Sequence, residues 1–344
     1  MVRNTTLRSR SFTFWPSCAC FPLADGWEPQ RVREQTTRGV HVLTRPVAAV
    51  TGAVLGFSAL FLSAPAALAA GPPGGPEVFA HRGASGYAPE NTLAAADKAD
   101  ELGTVWVEND VQRTKDGALV VIHDTTLART TDVEEVFPDR SPWKVSDFTL
   151  QEIRQLDAGS WFSEEYAGER VPTLRQFLHR LSWNRQKLLL EIKAPELYPG
   201  IEQQILGELR RTGWLSPYHV RHKLIVQSFA ADSIRTVHER RPDVRTGFLG
   251  TPAVADLPSY AEFTDQINPS FRTVTADYVD AVHRLKGPHG KRMQVLTWTV
   301  NDGPTATRLA GIGVDGIITN YPDVVRDAVG EESAAPEALL PSAG

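Results

Sequence analysis

Cysteine is nearly absent from this sequence, and other absences narrow its class further. Of 344 residues only two are cysteine, Cys18 and Cys20, so the chain is not a disulfide-stabilised scaffold. With 42% hydrophobic and 22% charged residues it is neither collagen-like, coiled-coil nor wholly disordered. No internal repeat or low-complexity module indicates an adhesive or structural role. The composition is that of a globular protein with a large core in one or two domains.

Positive charge is also scarce in most of the chain. The formal net charge is -5, but residues 1–70 carry seven arginines against three carboxylates. The remaining 274 residues therefore hold 29 basic and 38 acidic groups. This acidic part has no Lys/Arg stripe that would neutralise nucleic-acid phosphates, so we expect no nucleic-acid partner.

The N-terminal 70 residues contain a long uncharged apolar run, from Val47 to Leu62, preceded by Arg45 and followed by small residues. A basic flank, an apolar core and an A-x-A-like exit are typical of a secretory signal peptide, with cleavage expected near Ala69 or Ala70. An uncleaved membrane anchor is the alternative, because extension to Ala70 approaches the roughly 20 apolar residues that a membrane span needs. We therefore expect a secreted or extracytoplasmic protein.

The polar stretch before the apolar core is long for a signal peptide. One hypothesis is that translation starts at Val40 or Val42, which would leave an ordinary leader of about 30 residues. No twin-arginine pair precedes the core and no cysteine follows it for lipid attachment, so the general export route is favoured.

Short apolar runs rich in Val, Ile and Leu recur along residues 71–329 and are typical of buried parallel strands. Segments with helical character separate most of them. Eight β-α units in about 260 residues predict an α/β fold of the TIM (β/α)8 barrel type. The predicted strands are Glu77–Ala80, Val105–Val111, Leu188–Ile192, Leu224–Gln227, Thr246–Leu249, Asp265–Asn268, Gln294–Thr299 and Gly316–Thr319.

A ninth apolar run, Ala118–Ile122, follows the second strand across an Asp-Gly turn, which predicts an antiparallel hairpin outside the barrel. It leads a small insertion at about residues 113–171. The aromatic side chains of this insertion either shape substrate access or only pack the insertion onto the barrel. Residues 330–344 are small, acidic and Pro-containing, and we expect them to be disordered.

Polar residues concentrate where the predicted strands end, which is the catalytic face of a TIM barrel. His81 and Arg82 follow the first strand. A histidine can transfer a proton and an arginine can bind phosphate oxygens with two parallel hydrogen bonds, so the pair suits an anionic substrate. By itself, the triplet His81-Arg82-Gly83 is only weak evidence for an active site.

Two pairs of charged residues strengthen the indication of an active site at the strand ends. Glu108 and Asp110 lie two apart on the second strand and so point to the same side, and Glu191 and Lys193 repeat the spacing. Three inward carboxylates repel one another unless a cation lies between them, and oxygen ligands favour Ca²⁺ or Mg²⁺. The alternative is a salt-bridge network that ties the barrel together.

His123 ends the hairpin strand. The hairpin would bring it back over the second strand, beside the carboxylates, where it could be the second member of an acid/base pair. A single histidine at a strand end is more often a structural residue, but the neighbouring charged residues favour the catalytic interpretation.

Together these residues and their spacing resemble the glycerophosphodiester phosphodiesterase family over residues 78–130 and 187–323. The matching motifs are His81 to Thr92 (HRGASGYAPENT), Glu108 to Gln112 (ENDVQ), Thr114 to Gly117 (TKDG), His123-Asp124, Leu190 to Lys193 (LEIK), Gln227 to Phe229 (QSF), Trp298 to Asn301 (WTVN) and Val314 to Asp323 (VDGIITNYPD).

The resemblance implies a metal-dependent TIM-barrel hydrolase of secreted bacterial type with one divalent cation, Ca²⁺ or Mg²⁺. Its roles match this sequence position by position, and four further residues match with a supporting or substrate-contact role. The implied assignments are an acid/base pair of His81 and His123, metal ligands Glu108, Asp110 and Glu191, phosphate-binding Arg82 and Lys193, and supporting Glu90, Asn91, Gln227 and Trp298.

The implied reaction is hydrolysis of a glycerophosphodiester to sn-glycerol 3-phosphate and an alcohol, in lipid or glycerol metabolism. Expected partners are a small glycerophosphodiester or lysolipid and a membrane surface or cell envelope, with no protein partner implied. A lysophospholipase D or sphingolipid phosphodiesterase on the same barrel is the alternative. A non-catalytic phosphate- or lipid-binding barrel is disfavoured, because no catalytic histidine or metal ligand is missing.

Overall fold

A closed ring of parallel strands forms the centre of the protein. The structure is a computed structural model and describes residues 74–330. Eight strands form the ring, and a ninth, β3, lies outside it. The strands are β1 (Glu77–Ala80), β2 (Trp106–Arg113), β3 (Leu119–Val121), β4 (Lys187–Ile192), β5 (Leu224–Ser228), β6 (Arg245–Leu249), β7 (Gln266–Asn268), β8 (Gln294–Thr297) and β9 (Gly316–Thr319).

The sheet runs in the order β1-β9-β8-β7-β6-β5-β4-β2, and a parallel pairing of β1 with β2 closes it. β3 pairs antiparallel with β2 alone. The predicted TIM barrel with its hairpin is therefore confirmed. Because the strands are parallel, all of their carboxyl ends lie on one face, which we call the carboxyl face, and the opposite end is the amino face.

The eight predicted strands occur in the predicted order, and their ends differ by one or two residues. β2 extends to Arg113 because Gln112 and Arg113 pair with β3. β8 ends at Thr297, since Trp298 makes only an isolated bridge, with Ser270. These differences move no predicted site residue to the other face of its strand.

Helices connect the strands and cover the barrel. The α-helices are α1 (Leu93–Glu101), α2 (Val133–Val136), α3 (Leu150–Ile153), α4 (Leu174–Trp183), α5 (Ile201–Arg211), α6 (Pro217–His222), α7 (Ala231–Arg240), α8 (Leu257–Tyr260), α9 (Ala276–His283), α10 (Gly303–Gly311) and α11 (Pro322–Val329). Short 3-10 turns occur at Pro138–Arg140, Val145–Asp147, Glu164–Tyr166, Pro195–Leu197 and Val254–Asp256.

Side-chain caps define where several helices start. Thr92 accepts a hydrogen bond from the Ala95 amide at the start of α1. At the start of α4, Thr173 and Gln176 form a reciprocal capping box, which satisfies two otherwise unpaired backbone donors. In the sequence, a Pro-Thr pair precedes the apolar segment of this helix, and the structure shows that the threonine of this pair, Thr173, is the N-cap.

The apolar core has two layers. The outer layer lies between the strands and the helices and includes Val107, Phe177 and Leu190. The inner layer fills the barrel with side chains from alternate strand positions. Its members are Phe79, Trp106, Leu189, Ile225, Leu296 and Ile318.

The insertion between β3 and α4 has an apolar core of its own, which includes Leu127, Phe148 and Leu156. Its aromatic residues mostly pack within it or onto the loop after β1. The Tyr166 hydroxyl donates to the Tyr87 carbonyl at 3.0 Å, for example, and the ring of Phe162 lies 5.7 Å from that of Tyr166. This arrangement matches the packing interpretation of these aromatics.

The expected leader at residues 1–70, both cysteines and the expected disordered tail from 331 onward lie outside the described residues. Within residues 74–330, no helix is both long enough and apolar enough to cross a membrane.

Candidate active site

The loop after β1 turns sharply to place two polar groups over the carboxyl face. Arg82 has a φ of +56°, in the left-handed region, and Gly83 has a φ of +81°. A Cβ on Gly83 would lie 2.5 Å from the Ala95 backbone, so only glycine fits between this loop and α1. The turn lets the Arg82 amide donate to Oε2 of Glu108 at 2.9 Å.

Three carboxylates meet at the carboxyl face, as the strand spacing predicts. Asp110 pairs in register with Glu191 on the neighbouring strand, and Glu108 lies two residues before Asp110. Each offers an oxygen within 4.8 Å of the other two, and all three residues are buried. Ionised carboxylates are rarely gathered in this way without positive charge between them.

The electrostatics of this cluster favour a bound cation. Burial raises the pKa of Glu108 well above its usual range, and repulsion from Asp110 and Glu191 raises it further. Burial likewise raises the pKa of Glu191 to about 7. Three close, buried oxygen donors that resist ionisation together fit a hard divalent cation, which would stabilise all three charges.

Two basic side chains flank the carboxylates. Arg82 Nε lies 3.3 Å from Asp110 Oδ2, and Lys193 Nζ lies 2.8 Å from Glu191 Oε1 and 3.5 Å from Asp110 Oδ1. Although burial opposes ionisation, these two positive charges lower the pKa of Asp110 to about 2. Asp110 is therefore the carboxylate that stays ionised, and the two cations remain at the rim where an anionic substrate would arrive.

Asn91 fixes the orientation of Asp110. Its amide donates to Asp110 Oδ2 at 2.9 Å and accepts from the Asp110 backbone amide at 3.2 Å. Asn91 itself is buried and has a φ of +61°. Asn91, which belongs to the motif that begins at His81, therefore orients a candidate metal ligand.

His81 is anchored by an amide side chain. Its Nδ1 lies 2.7 Å from Oδ1 of Asn320, in the loop after β9. Burial lowers the pKa of His81 to about 4, and the charge of Arg82 adds to this effect. The imidazole is therefore neutral at neutral pH, and donation from Nδ1 to Asn320 would leave Nε2 free to accept a proton.

His123 is anchored by a carboxylate instead. Its Nδ1 lies 2.6 Å from Oδ1 of Asp124, and Arg129 donates to the same Asp124 carboxylate at 2.6 and 3.1 Å. Arg129 also donates to both oxygens of Glu90, which accepts from Arg82 at 2.9 Å. A continuous chain of charged contacts thus joins the loops after β1 and β3.

A cavity of about 110 Å³ opens among these groups. It brings together most of the predicted site residues with four that were not assigned. Gln227 is held by Asn268, whose amide donates to it at 2.9 Å, and the Trp298 indole donates to the Asn268 carbonyl. The cavity is lined by His81, Arg82, Glu108, His123, Glu191, Lys193, Gln227, Phe229, Leu249, Trp298, Thr299 and Ile318.

Three predicted residues lie behind that lining. Asp110 is 1% exposed and contacts Arg82 and Lys193, while Glu90 and Asn91 lie in the loop after β1 and contact Arg82 and Asp110, respectively. Their contacts are with other site residues, which agrees with a supporting position for Glu90 and Asn91.

The sequence did not single out Asp124, Arg129, Asn320 or Phe229. The motifs that resemble the family contain Asp124, Asn320 and Phe229, but the sequence alone assigned no function to these three residues. The Phe229 ring is half exposed and lies 5.5 Å from both Lys193 Nζ and the Trp298 ring. Arg129 lies in a polar loop, where nothing in the sequence separates it from a solvated arginine.

Comparison with known proteins agrees with this geometry. The model of the glycerophosphoryl diester phosphodiesterase family matches residues 81–324. The Bacillus subtilis (strain 168) protein YhdW is 39% identical over 254 residues, which cover 72% of this chain and 96% of that protein. A glycerophosphodiester phosphodiesterase of Caldanaerobacter subterraneus subsp. tengcongensis is 35% identical over 255 residues, or 73% and 97% of the two chains.

A solved structure is similar over the same region. It is that of an Oleispira antarctica phosphodiesterase in complex with the product sn-glycerol-3-phosphate, with a TM-score of 0.61 and 29% identity. The similarity covers 74% of this chain and 97% of that one. The family-model match, residues 81–324, contains every residue assigned to the site. The chain therefore belongs to the glycerophosphoryl diester phosphodiesterase family and is an enzyme of that family.

Proposed function

We propose that this protein hydrolyses glycerophosphodiesters to sn-glycerol 3-phosphate and an alcohol, and that it needs one divalent cation, Ca²⁺ or Mg²⁺. The observation that carries the proposal is the convergence of two imidazoles, two basic side chains and the carboxylates of Glu108 and Glu191 on one cavity of about 110 Å³, with the third carboxylate, Asp110, buried directly behind them. The sn-glycerol-3-phosphate bound to the similar Oleispira antarctica enzyme supports the choice of product.

Glu108, Asp110 and Glu191 would hold the cation through carboxylate oxygens. When bound, the cation supplies Lewis-acid stabilisation of the charge that develops on the phosphoryl oxygens. It also makes the local charge favourable for a phosphodiester, since the three carboxylates outnumber Arg82 and Lys193.

His81 acts as the general base in this proposal. Its Asn320 partner is a neutral amide that orients the ring, and its hydrogen bond raises the pKa of His81 less than burial and the charge of Arg82 lower it. A neutral imidazole with a free Nε2 can accept a proton from the attacking hydroxyl or water. The pKa of about 4 agrees with this role, because the base is already deprotonated at neutral pH.

His123 acts as the general acid. Burial lowers the pKa of His123 overall, and its Asp124 partner is a carboxylate that partly offsets this effect and holds the ring in one orientation. Arg129 keeps Asp124 ionised: its hydrogen bond is the largest influence lowering the pKa of that carboxyl to about 2. The leaving alkoxide would receive its proton from His123, opposite the base.

Arg82 and Lys193 would bind the phosphate oxygens and neutralise charge on the pentavalent transition state. Gln227 can hydrogen-bond a glycerol hydroxyl, and Trp298 offers an apolar face against its carbon chain. The first nucleophile is either water or a neighbouring glycerol hydroxyl, which would give a cyclic phosphate that water then opens. Intramolecular attack has the larger effective concentration.

The alternative function is a lysophospholipase D or sphingolipid phosphodiesterase on the same barrel. The half-exposed Phe229 and the apolar Leu249 beside the cavity would suit an acyl chain near the leaving group. Both reactions would use the same acid/base pair, so only the released alcohol separates them.

We also propose that the enzyme is exported through an N-terminal signal peptide cleaved near Ala69 or Ala70. It would act in lipid or glycerol metabolism outside the cytoplasm, at a membrane or envelope surface. The apolar run at residues 47–62 supports export. N-terminal sequencing of the exported protein tests it: a mature chain that retains residues before 47 contradicts signal-peptide cleavage.

The reaction is tested with the full chain and a panel of glycerophosphocholine, glycerophosphoglycerol and lysophosphatidylcholine. Glycerol 3-phosphate is measured after chelation and after addition of Ca²⁺ or Mg²⁺. Metal-dependent release from the first two substrates is expected. Release of choline with lysophosphatidic acid, and no reaction of the glycerophosphodiesters, would favour the lysophospholipase D. Absence of turnover with every substrate and cation would contradict a hydrolase.

A further inference from the structure

A second and larger cavity lies at the amino face, away from the site described above. Its volume is about 710 Å³. Arg245 and Gln294 are the first residues of β6 and β8, and Asp265 precedes β7, so the cavity opens where these strands begin. It is lined by Leu215, Pro217, Val220, Arg221, Arg241, Asp243, Arg245, Asp265, His289, Lys291, Arg292 and Gln294.

Positive charge predominates in this lining. Five Lys and Arg residues face two carboxylates. Two of the five have carboxylate partners: Arg241 donates to both oxygens of Asp243 at 2.8 and 2.7 Å, and Arg292 donates to Asp315 at 2.6 Å. Within residues 74–330, the other three cations of the lining, Arg221, Arg245 and Lys291, form no salt bridge.

Arg245 is the central feature of the cavity. Its side chain is largely buried, yet it forms no salt bridge with any described residue, and its Nε is buried with no hydrogen-bond partner there. The guanidinium carbon lies 5.6 Å from the centre of the Trp106 ring, which closes the barrel interior. Burial lowers the pKa of Arg245, although the charges of Glu77 and Asp265 partly offset this effect. A charged group in this position is costly unless a ligand compensates for it.

Further cations surround the same end of the barrel. Lys187 Nζ lies 5.2 Å from the centre of the Trp106 ring, which is the ring that Arg245 also approaches. Burial lowers the pKa of Lys223, and the charges of Lys187 and Arg185 lower it further. The amino face therefore has a positive field that extends beyond the cavity lining.

One hydrogen-bonding group in the cavity is also incompletely paired. The His289 ring is positioned by Asp265, whose Oδ1 lies 2.8 Å from Nδ1. Its Nε2 is buried and has no partner among the described residues. Because Nδ1–H donates to Asp265, Nε2 of the neutral ring is an acceptor that a hydroxyl or a protonated phosphate oxygen of a ligand could satisfy, whereas Arg245 Nε can donate to an anionic oxygen.

We propose that this cavity binds a small multivalent anion whose phosphate or carboxylate groups contact Arg245, with Arg221 and Lys291 at the rim. The site is separate from the catalytic one and does not depend on the proposed reaction. Its volume lies within the roughly 300–1,000 Å³ typical of small-molecule sites. A concave site favours a soluble anion over the flat surface of a membrane.

The test is calorimetric titration of the full chain with inorganic pyrophosphate. We expect binding that weakens as salt is raised, because exposed charges at the rim are screened. Arg245→Gln should weaken the affinity by about tenfold or more, the usual effect of losing a hydrogen bond to a charged group. The control Arg210→Gln removes the same charge from the exposed surface of α5 and should change nothing.

Binding at the catalytic site is separated by a second pair of measurements. Calorimetric binding of glycerol 3-phosphate should be lost in Arg82→Gln and retained in Arg245→Gln. Pyrophosphate binding should show the opposite pattern. Unchanged pyrophosphate affinity in Arg245→Gln, or equal losses in Arg245→Gln and Arg210→Gln, would overturn the proposal.

A vesicle experiment distinguishes a soluble anion from a lipid headgroup. Sedimentation with phosphatidylglycerol vesicles should not depend on Arg245. If Arg245→Gln abolishes vesicle binding while the parent chain fails to bind pyrophosphate, the amino face contacts a membrane and the proposed small-anion site is wrong.

Discussion

The two faces of the barrel have opposite electrostatic requirements. At the carboxyl face, Glu108, Asp110 and Glu191 gather negative charge within 4.8 Å around a cavity of about 110 Å³. At the amino face, a cavity of about 710 Å³ is lined mainly by positive charge, and Arg245 forms no salt bridge within residues 74–330. In our proposals, the carboxyl face binds a cation and the amino face binds an anion.

This contrast shows that cavity size alone does not locate the chemistry. The smaller cavity contains two imidazoles, each anchored by its own partner, beside groups that can bind a cation and a phosphate. Among the described residues that line the larger cavity there is charge but a single imidazole, His289, so a second histidine for proton transfer is missing from that lining. The inner core layer around Trp106 separates the two faces.

The largest effect on stability should come from disrupting the inner core layer that separates the two faces. Trp106 is 2% exposed, and Trp106→Ala should lower the free energy of unfolding by about 3–5 kcal/mol, because it leaves a cavity within the barrel. Urea unfolding of the full chain measures this. The matched control is Trp183→Ala in α4, where the side chain is 85% exposed and the expected change is under about 0.5 kcal/mol. Equal effects of the two substitutions would contradict a closed interior.

The next largest effect should be on turnover, and it should follow from substitutions at the carboxyl face alone. His81→Ala and His123→Ala should each lower kcat by at least about 10², the lower end of the usual contribution of positioned proton transfer. Both should leave cation binding largely intact, which calorimetry checks. Arg245→Gln at the amino face should retain the parent's turnover without added anion. Near-parental turnover of His123→Ala would remove that residue from the acid/base pair.

A smaller effect should follow from the partner of His123. The Asp124 hydrogen bond raises the pKa of His123 and so opposes the effect of burial, which lowers it. In Asp124→Asn the pKa of His123 should fall, so the acid loses its proton at lower pH. The basic limb of the kcat profile should then shift to lower pH, and kcat should fall about tenfold.

The control for this shift is Asp139→Asn, which removes an exposed carboxylate from the same insertion. Its pH profile should match that of the parent. An unmoved basic limb in Asp124→Asn would show that Asp124 has only a packing role.

The smallest effect is a pH dependence of folding in the insertion beside the carboxyl face. Although burial opposes it, backbone N–H groups of Ser160, Gly159 and Gly168 lower the pKa of Asp157 from 3.8 to about 2. This carboxylate therefore stabilises the fold above about pH 4, and the contribution is lost as pH falls towards 2.

Urea unfolding at pH 5 and pH 3 tests the Asp157 contribution. Asp157→Asn should be less stable than the parent at pH 5 and should lose less stability between the two values. Asp139→Asn again serves as the control and should follow the parent. A parental pH dependence in Asp157→Asn would exclude this carboxylate as its source.

The sequence predicts most of the fold because the barrel depends on short apolar runs of fixed order. It also predicts the carboxyl-face residues, since alternate strand positions share a face and the charged pairs Glu108 and Asp110, and Glu191 and Lys193, interrupt such runs. Both signals are local, so they are visible without tertiary information.

What the sequence does not predict depends on side chains from distant segments. Arg129 joins Glu90 to Asp124 only because the loops after β1 and β3 meet. The cations of the amino face come from separate connections in an acidic chain, with Arg221 in α6 and Lys291 before β8. No local run of positive charge therefore marks that cavity.

Calorimetric titration of the full chain with Ca²⁺, repeated for Glu108→Gln, tests the central claim most directly. The account predicts one cation site per chain in the parent and an affinity at least about tenfold weaker in the variant, because a charged oxygen ligand is lost. The matched variant Glu135→Gln, at an exposed position of α2, should bind like the parent. Equal affinity in Glu108→Gln and the parent would contradict a cation held by the three carboxylates.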